Sequence, residues 1–307
     1  MADITCQLSG QGVPCRQALP RTTRRPGLRS PWGMALQQLS TNRAAMAGLG
    51  LLLAFAALAA LAPVLSFYDP LTQDYAEVLR PPSAQHWLGT DLLGRDILSR
   101  LLHGGRLTLV IALVAVAMSG SIGVVLGLVS GYYGGKLDTV LMRFIDMLLA
   151  FPRILLALCM VTIMGTGPGN VMVAVGISGI SGYARLVRGT VLAAKQQPYV
   201  DAARAVGCRS RRIMFRHVLP NVLAPIIVLA TLDMAGAILS ASSLSFLGLG
   251  AQPPQPEWGL MLNEGRAYLH EAPWITMAPG FAIMLTVLSI NMLGDGLRDA
   301  LDPRLRA

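Results

Sequence analysis

Long uncharged segments alternate with short polar ones along most of this 307-residue chain. A helix that crosses a membrane needs about 20 consecutive apolar residues. One uncharged segment, 154–184, is too long for a single crossing, and its "GTGPGN" stretch divides it because Gly and Pro interrupt helices. The pattern therefore predicts an all-α membrane protein with six spans, at about 44–66, 107–131, 138–164, 170–190, 221–244 and 274–293.

The distribution of basic residues predicts how these spans are oriented. Segments on the cytoplasmic side of a membrane carry an excess of Lys and Arg. Six spans place both termini on one side, and if that side is cytoplasmic the outer segments hold few basic residues, among them Arg80, Arg95, Arg100 and Arg266. We therefore predict that both termini are cytoplasmic.

The segment before the first span, residues 1–43, is predicted to be a cytoplasmic tail. Its first 30 residues are rich in Arg, Pro and Gly, a composition typical of disorder. Residues 30–43 predict either a helix at the membrane interface, with Trp32, Leu36 and Leu39 on one face, or a plain linker. The first span is longer than the apolar region of a signal peptide, so we expect it to stay part of a transmembrane domain at 44–307.

Composition narrows the class of function. Apolar residues make up 53% of the chain and charged residues 13%, whereas a soluble domain has about 25% charged residues. The net charge of +9 lies in blocks beside the spans, so nucleic-acid binding is not expected. The cysteines form no CxxC pair and the histidines no HExxH motif, so neither a metal site nor a cofactor site is predicted.

One polar stretch, "QQPYVDAARAVGCRSRRIMFRHVLPN" at 196–221, is the only long cytoplasmic segment between predicted spans. Pro198 suits the first turn of a helix, and Gly207 suits its end. A helix this short is scarcely stable alone in water, so it requires a surface to pack against. Two surfaces fit the sequence: anionic lipid headgroups, contacted through the arginines, or a groove in a cytoplasmic partner protein.

Part of this stretch resembles the EAA loop of ABC importer permeases. "DAARAVG", followed by nine residues and "HVLP", matches the family pattern at Ala202, Ala203, Gly207, Leu219 and Pro220. It departs from the pattern at Asp201, where the family has Glu, and at His217, where the family has Ile. Two further stretches, at 87–109 and 243–266, resemble the C-type permease subunit of dipeptide, oligopeptide, glutathione and nickel importers.

The resemblance implies a type I ABC importer permease fold in the bacterial cytoplasmic (inner) membrane. It also implies several partners: a homologous permease subunit, two cytoplasmic ATP-binding subunits, an extracytoplasmic substrate-binding protein and membrane lipid. The chain has no G-x4-G-K-[ST] motif, so ATP and Mg are expected to bind to the partner subunits. No catalytic residue is expected in this chain.

The resemblance also assigns a coupling loop that contacts the ATP-binding subunits, formed by Asp201, Ala202, Ala203, Arg204, Gly207, Leu219 and Pro220. Arg204 has two candidate roles, which are pairing with an acidic residue of the partner and capping its own helix. The expected substrates are short peptides or glutathione, with nickel or a metal chelate as the alternative. A stand-alone secondary transporter is a rival from another class, although the chain shows no internal repeat.

Ionisable residues inside the predicted spans are functional candidates, because charge is costly in lipid. Asp233, near the middle of the fifth span, is expected either to line the translocation path and meet a cationic substrate group or to pair with the partner permease. Arg143 and Asp146 are three positions apart in the third span and are expected to pair with each other.

Two outer segments, one before the second span and one after the fifth, are expected to dock the substrate-binding protein. An alternative is a lid that only closes the pore. The docking candidates are Glu257, Trp258, Asn263 and Glu264. Before the second span, a local ion-pair network is favoured over docking for Asp91, Arg95, Asp96 and Arg100.

Overall fold

The structure is a computed structural model that describes residues 31–301, without the side chains of residues 31, 32 and 34–36. The prediction of a disordered tail at 1–30 lies outside these residues. The described chain forms twelve α-helices: α1 (Pro31–Thr41), α2 (Arg43–Ala60), α3 (Ala62–Leu65), α4 (Ile97–Tyr133), α5 (Gly135–Leu149), α6 (Arg153–Met164), α7 (Pro168–Ala194), α8 (Pro198–Ala205), α9 (Ser210–Arg212), α10 (Leu219–Phe246), α11 (Trp258–Gly265) and α12 (Trp274–Leu301).

Five of these helices or continuous helical runs are long and apolar enough to cross a membrane: α2, α4, α7, the run from α9 through α10, and α12. The bent pair α5 and α6 supplies a sixth span if the two are counted together. The prediction of an all-helical membrane protein is confirmed. The third predicted span is not one straight helix, because α5 and α6 meet at 88°. The break falls at Pro152, which precedes the first residue of α6 and lacks the N–H that would continue α5.

Helix α4 is longer than its predicted span, since it begins at Ile97 and runs for 37 residues. Asp96 caps its first turn by accepting a hydrogen bond from the Ser99 backbone N–H at 2.7 Å. Ser99 and Arg100, the first polar residues after Asp96, are buried in the protein. Hydropathy alone therefore placed the start of this helix too late.

Helices α4 and α7 pack closely along most of their length. Gly123, Gly127 and Gly131 form a stripe on α4 with a spacing of four residues. A Cβ atom at Gly127 would lie 2.8 Å from the Cβ of Val187 on α7, a distance that is too short for two side chains. Small residues let two helix backbones approach, as is common between helices in membranes.

The two described ends of the chain lie at the same end of the bundle. Leu39 of α1 is buried against Ala45 and Ala300, so this side chain packs on protein. Of the two alternatives predicted for residues 30–43, the helix is present, as α1. The side chains of Trp32 and Leu36, which were predicted to share one face of it, are not among the described residues. The first turns of α10 and the last turn of α12 line one cavity, and the segment that leads into α10 packs on α8. We call this the α8 end and the opposite one the α11 end.

Candidate functional site

Helix α8 has the bounds that its capping residues predict. Gln197 has extended backbone angles, Pro198 opens the helix, and Asp201 lies in the first turn. Gly207 has a φ of +77°, which favours glycine and ends the helix after eight residues. The structure thus confirms a short helix in the predicted coupling loop.

One face of α8 is anchored in the bundle. Val200 is fully buried and Ala203 is 7% exposed. Both belong to an apolar cluster with residues of α4, α7, α10 and the segment before α10, namely Leu128, Tyr132, Val187, Val191, Ile213, Met214, Val218 and Val222. This packing supplies the surface that a helix of eight residues needs in order to form.

The opposite face of α8 is open to solvent. Asp201, Ala202 and Arg204 are exposed. Arg204 forms a 3.2 Å ion pair with Asp201, and both side chains are largely solvated, so the pair contributes little stability. Within the described chain, Arg204 therefore has a partner on its own helix and retains donors for a second acceptor.

The last part of the predicted coupling loop continues into α10 as an unbroken helix. Residues 213–218 form a π-helix that continues directly into α10, where Leu219 is the first residue and Pro220 the second. The Asn221 side chain donates to the His217 carbonyl at 2.7 Å across this junction. Nothing in the residue pattern predicts the wider π turn, which is a rare feature that often occurs at functional sites.

The predicted pair of Arg143 with Asp146 is wrong. Asp146 instead accepts a hydrogen bond from Arg185 of α7 at 2.8 Å. An Arg that precedes an acidic residue in a helix has the less favourable orientation for such a pair. The bend between α5 and α6 also leaves α5 in contact with α7, which brings Arg185 within reach.

Asp233 has a partner that neither predicted alternative named. Its carboxylate binds the guanidinium of Arg153, the first residue of α6, so the two charges neutralise each other within one chain. The Asp233 side chain is 8% exposed and that of Arg153 is 34% exposed. Both line a cavity of about 260 Å³ beside the break between α5 and α6. Asp233 is therefore not an unpaired carboxylate that could bind a cationic substrate group by itself.

Three of the four docking candidates at the α11 end are turned inward. Glu257 is fully buried and Trp258 is 2% exposed. The Trp258 indole N–H donates to the Leu101 carbonyl at 2.9 Å. Glu264 pairs with two buried arginines, and the half-buried Asn263 donates to the Phe246 carbonyl. The prediction that Glu257 and Trp258 contact a binding protein is wrong, because residues of this loop were taken to be exposed, whereas docking through Asn263 and Glu264 stays a prediction.

Glu257 has a structural role as the N-terminal cap of α11. Its carboxylate accepts hydrogen bonds from the backbone N–H groups of Gly259 at 3.0 Å and Leu260 at 2.9 Å. The Thr108 hydroxyl of α4 donates to it at 3.1 Å. Burial raises the pKa of the Glu257 carboxyl, and the two backbone hydrogen bonds oppose part of that shift. This one side chain thus attaches α11 to α4.

The predicted ion-pair network before α4 is present and reaches further than its sequence neighbours. Arg95 and Arg100 both bind Asp91, and both also bind Glu264, at 3.2 Å and 2.8 Å respectively. The fourth member, Asp96, pairs with His86 at 2.9 Å instead. The network therefore connects the loop before α4 to α11, with both arginine side chains 1% exposed.

Comparisons with known proteins place most of the chain in described families. Residues 123–307 match the family "binding-protein-dependent transport system inner membrane component", and residues 30–82 match the "N-terminal TM domain of oligopeptide transport permease C". The chain is 46% identical over 278 residues to a dipeptide transport system permease protein of Alkalihalophilus pseudofirmus, with 91% of each chain covered. It is 47% identical over 281 residues to a glutathione transport system permease protein of Pectobacterium atrosepticum, with 91% of this chain and 93% of that one covered.

A solved structure shares the fold. The chain is similar to one in the inward-facing MetNI methionine ABC transporter, with a TM-score of 0.54 and 20% identity. The similarity covers 66% of this chain and 96% of that chain.

Proposed function

Because this chain belongs to the family of binding-protein-dependent inner membrane transport components, as a C-type permease of peptide ABC importers, we propose that it forms half of a translocation pathway for short peptides or glutathione. The family consists of transport components and not of enzymes, and the chain is a multi-pass inner membrane protein. A homologous permease subunit supplies the second half, two cytoplasmic ATP-binding subunits supply energy, and an extracytoplasmic binding protein delivers the substrate.

The two-sided packing of α8 is the observation that carries this proposal. Its buried face, at Val200 and Ala203, is fixed to α4, α7 and the π-helix before α10. Its open face, at Asp201, Ala202 and Arg204, presents small and charged groups that fit a groove in an ATP-binding subunit. ATP binding elsewhere can shift this chain only through a contact that differs between two states. A movement of α8 passes to α10 through the packing of Val200 and Ala203 on the π-helix, which continues into α10 without a loop.

The proposed coupling role of α8 also determines how the chain is oriented in the membrane. The α8 end faces the cytoplasm, where ATP is available, and the α11 end faces the binding protein. This orientation agrees with the excess of basic residues in the segments at the α8 end. The names of the dipeptide and glutathione permease relatives support short peptides and glutathione as substrates.

Uptake by proteoliposomes that contain the whole importer tests the proposal. A labelled dipeptide or glutathione is expected to accumulate only when ATP, the ATP-binding subunits and the binding protein are all present. Ala202→Phe places a bulky ring on the open face of α8 and is expected to reduce uptake at least tenfold. Ala193→Phe, at an exposed position in the last turn of α7, is the matched control and is expected to retain most uptake.

Two outcomes contradict the proposal. Accumulation against a gradient without the ATP-binding subunits indicates a stand-alone secondary transporter. Accumulation of labelled nickel, with neither a dipeptide nor glutathione transported, indicates the metal or metal-chelate alternative.

A further inference from the structure

The cavity beside Arg153 holds polar atoms that the described chain leaves without partners. Nε of Arg153 and Oδ2 of Asp233 are both buried and make no hydrogen bond. The Tyr183 hydroxyl lies near Asp233 and Ser119 but within hydrogen-bonding geometry of neither. Buried polar groups are almost always satisfied in native proteins. These atoms all belong to one site, and their hydrogen-bonding capacity is not met within the described chain.

Small residues keep this site open around the guanidinium. Gly179 of α7 and Gly236 of α10 flank Arg153, and a Cβ at Gly179 would lie 3.1 Å from its Nη2 atom. Leu148, Leu149 and Phe151 form the apolar part of the wall. The volume of about 260 Å³ lies below the range of roughly 300–1,000 Å³ that whole small molecules occupy. The cavity therefore has room for one end of an elongated ligand.

The electrostatics of the site favour an anionic group. Arg153 and Asp233 cancel each other's unit charge. Arg153 is also the first residue of α6, a helix of 12 residues, and the first turn of a helix carries a partial positive charge and N–H groups without helical acceptors. This excess positive potential acts at the break between two half-spans. The Arg153 side chain is 34% exposed, and guanidinium donors suit the planar geometry of a carboxylate.

We propose that this cavity binds the C-terminal carboxylate of a short peptide during its passage, with Arg153 as the specificity-determining residue and Asp233 as the residue that positions and moderates its charge. The inference rests on the proposed function, since peptides are the cargo considered there. Asp233 keeps the site close to neutral, so the carboxylate is held weakly enough to leave again. A carboxylate shared by peptides of every sequence suits a carrier that does not select side chains.

Saturation-transfer difference NMR on the full-length chain in lipid nanodiscs tests this binding directly. The probes are dialanine and dialanine amide, which differ in the free carboxylate, and empty nanodiscs give the background. Dialanine is expected to give signals, strongest on the methyl group of its C-terminal residue. The amide is expected to bind at least tenfold more weakly, since it loses a charge-assisted hydrogen bond.

Variants separate a ligand site from a purely structural ion pair. Arg153→Gln is expected to abolish the dialanine signal, while Asp233→Asn is expected to strengthen it because a repelling charge is removed. Arg143→Gln removes an exposed arginine of α5 and is the matched control, with an unchanged signal expected. Equal binding of dialanine and its amide to the unaltered chain overturns the proposal, even if Arg153→Gln fails to fold. Absence of any signal above background overturns it as well.

The NMR experiment measures binding to the cavity and does not depend on transport activity. Binding without uptake in the proteoliposome assay contradicts the proposed importer function and leaves this site in place. Uptake without carboxylate-dependent binding contradicts only the site.

Discussion

Arg188 of α7 binds Asp138 of α5 through two parallel hydrogen bonds, from Nε at 2.6 Å and from Nη2 at 2.7 Å. Ser130 of α4 donates to the same carboxylate. One acidic side chain therefore joins α4, α5 and α7 near the α8 end. This contact holds the half-span α5 in place although α5 and α6 are bent apart.

We predict that Arg188→Lys lowers the stability of the protein. A lysine keeps the charge but lacks the planar pair of donors that matches a carboxylate. The expected loss is about 1–2 kcal/mol, measured as a fall in the thermal unfolding temperature in detergent. Arg185→Lys is the control, because the single bond of Arg185 to Asp146 is exposed on both sides, and we expect almost no change. Equal effects of the two substitutions contradict this prediction.

The buried network at the α11 end gives a second prediction. Asp91 and Glu264 together balance Arg95 and Arg100. Asp91→Asn leaves one buried positive charge uncompensated, which typically costs about 3–5 kcal/mol. We expect a large drop in thermal stability, together with faster proteolysis of the loop before α4. Glu77→Gln, at an exposed pair with Arg80, is expected to be silent in both assays.

The burial of Glu257 gives a pH dependence of known sign. Its folded pKa is raised, so the folded protein holds the proton more tightly than the unfolded chain does. The stability contribution is fully present below the unfolded pKa of about 4.3 and is lost as pH rises through the folded value. Glu257→Gln removes this titration. The unfolding temperature of the variant minus that of the unaltered protein is therefore expected to increase with pH, and a constant or falling difference refutes the assignment.

The contact between α4 and α7 predicts opposite outcomes at two neighbouring glycines. A Cβ at Gly123 would lie 2.7 Å from the Ile180 carbonyl oxygen, which is backbone and cannot rotate away. We expect Gly123→Ala to destabilise the protein by about 1–3 kcal/mol. At Gly120 the nearest atom would be 3.6 Å away, on the Tyr183 ring, so Gly120→Ala is expected to be tolerated. Thermal unfolding of both variants in the same detergent measures the difference.

Features set by local chemistry could be predicted from the sequence. The apolar segments indicated the number of spans, and Pro198 with Gly207 indicated the bounds of α8. The ion pairs of Arg95 and Arg100 with Asp91 could also be predicted, because these residues are close together along the chain. Asp91 is 4 residues from Arg95 and 9 residues from Arg100 along the sequence, so both contacts are local.

Features set by packing could not be predicted in the same way. Arg153 and Asp233 are 80 residues apart, and Arg185 and Asp146 are 39 apart. No property of either partner identifies the other until α5, α6, α7 and α10 have been placed together. Glu257 was misassigned for the same reason. It is a cap on α11 that Thr108 of α4 also contacts, but an acidic residue beside prolines in an outer loop has the sequence character of an exposed one.

Helix α4 runs without interruption through 37 residues, from the buried network at the α11 end to the apolar cluster beneath α8. At 1.5 Å per residue it measures roughly 55 Å, whereas the hydrocarbon layer is about 30 Å thick. It therefore extends beyond the hydrocarbon layer, with its first turn held by the ion-pair network at the α11 end and its last turns packed against α8. A displacement at the first turn of α4 is therefore transmitted to its last turn along one uninterrupted helix, without a hinge in between.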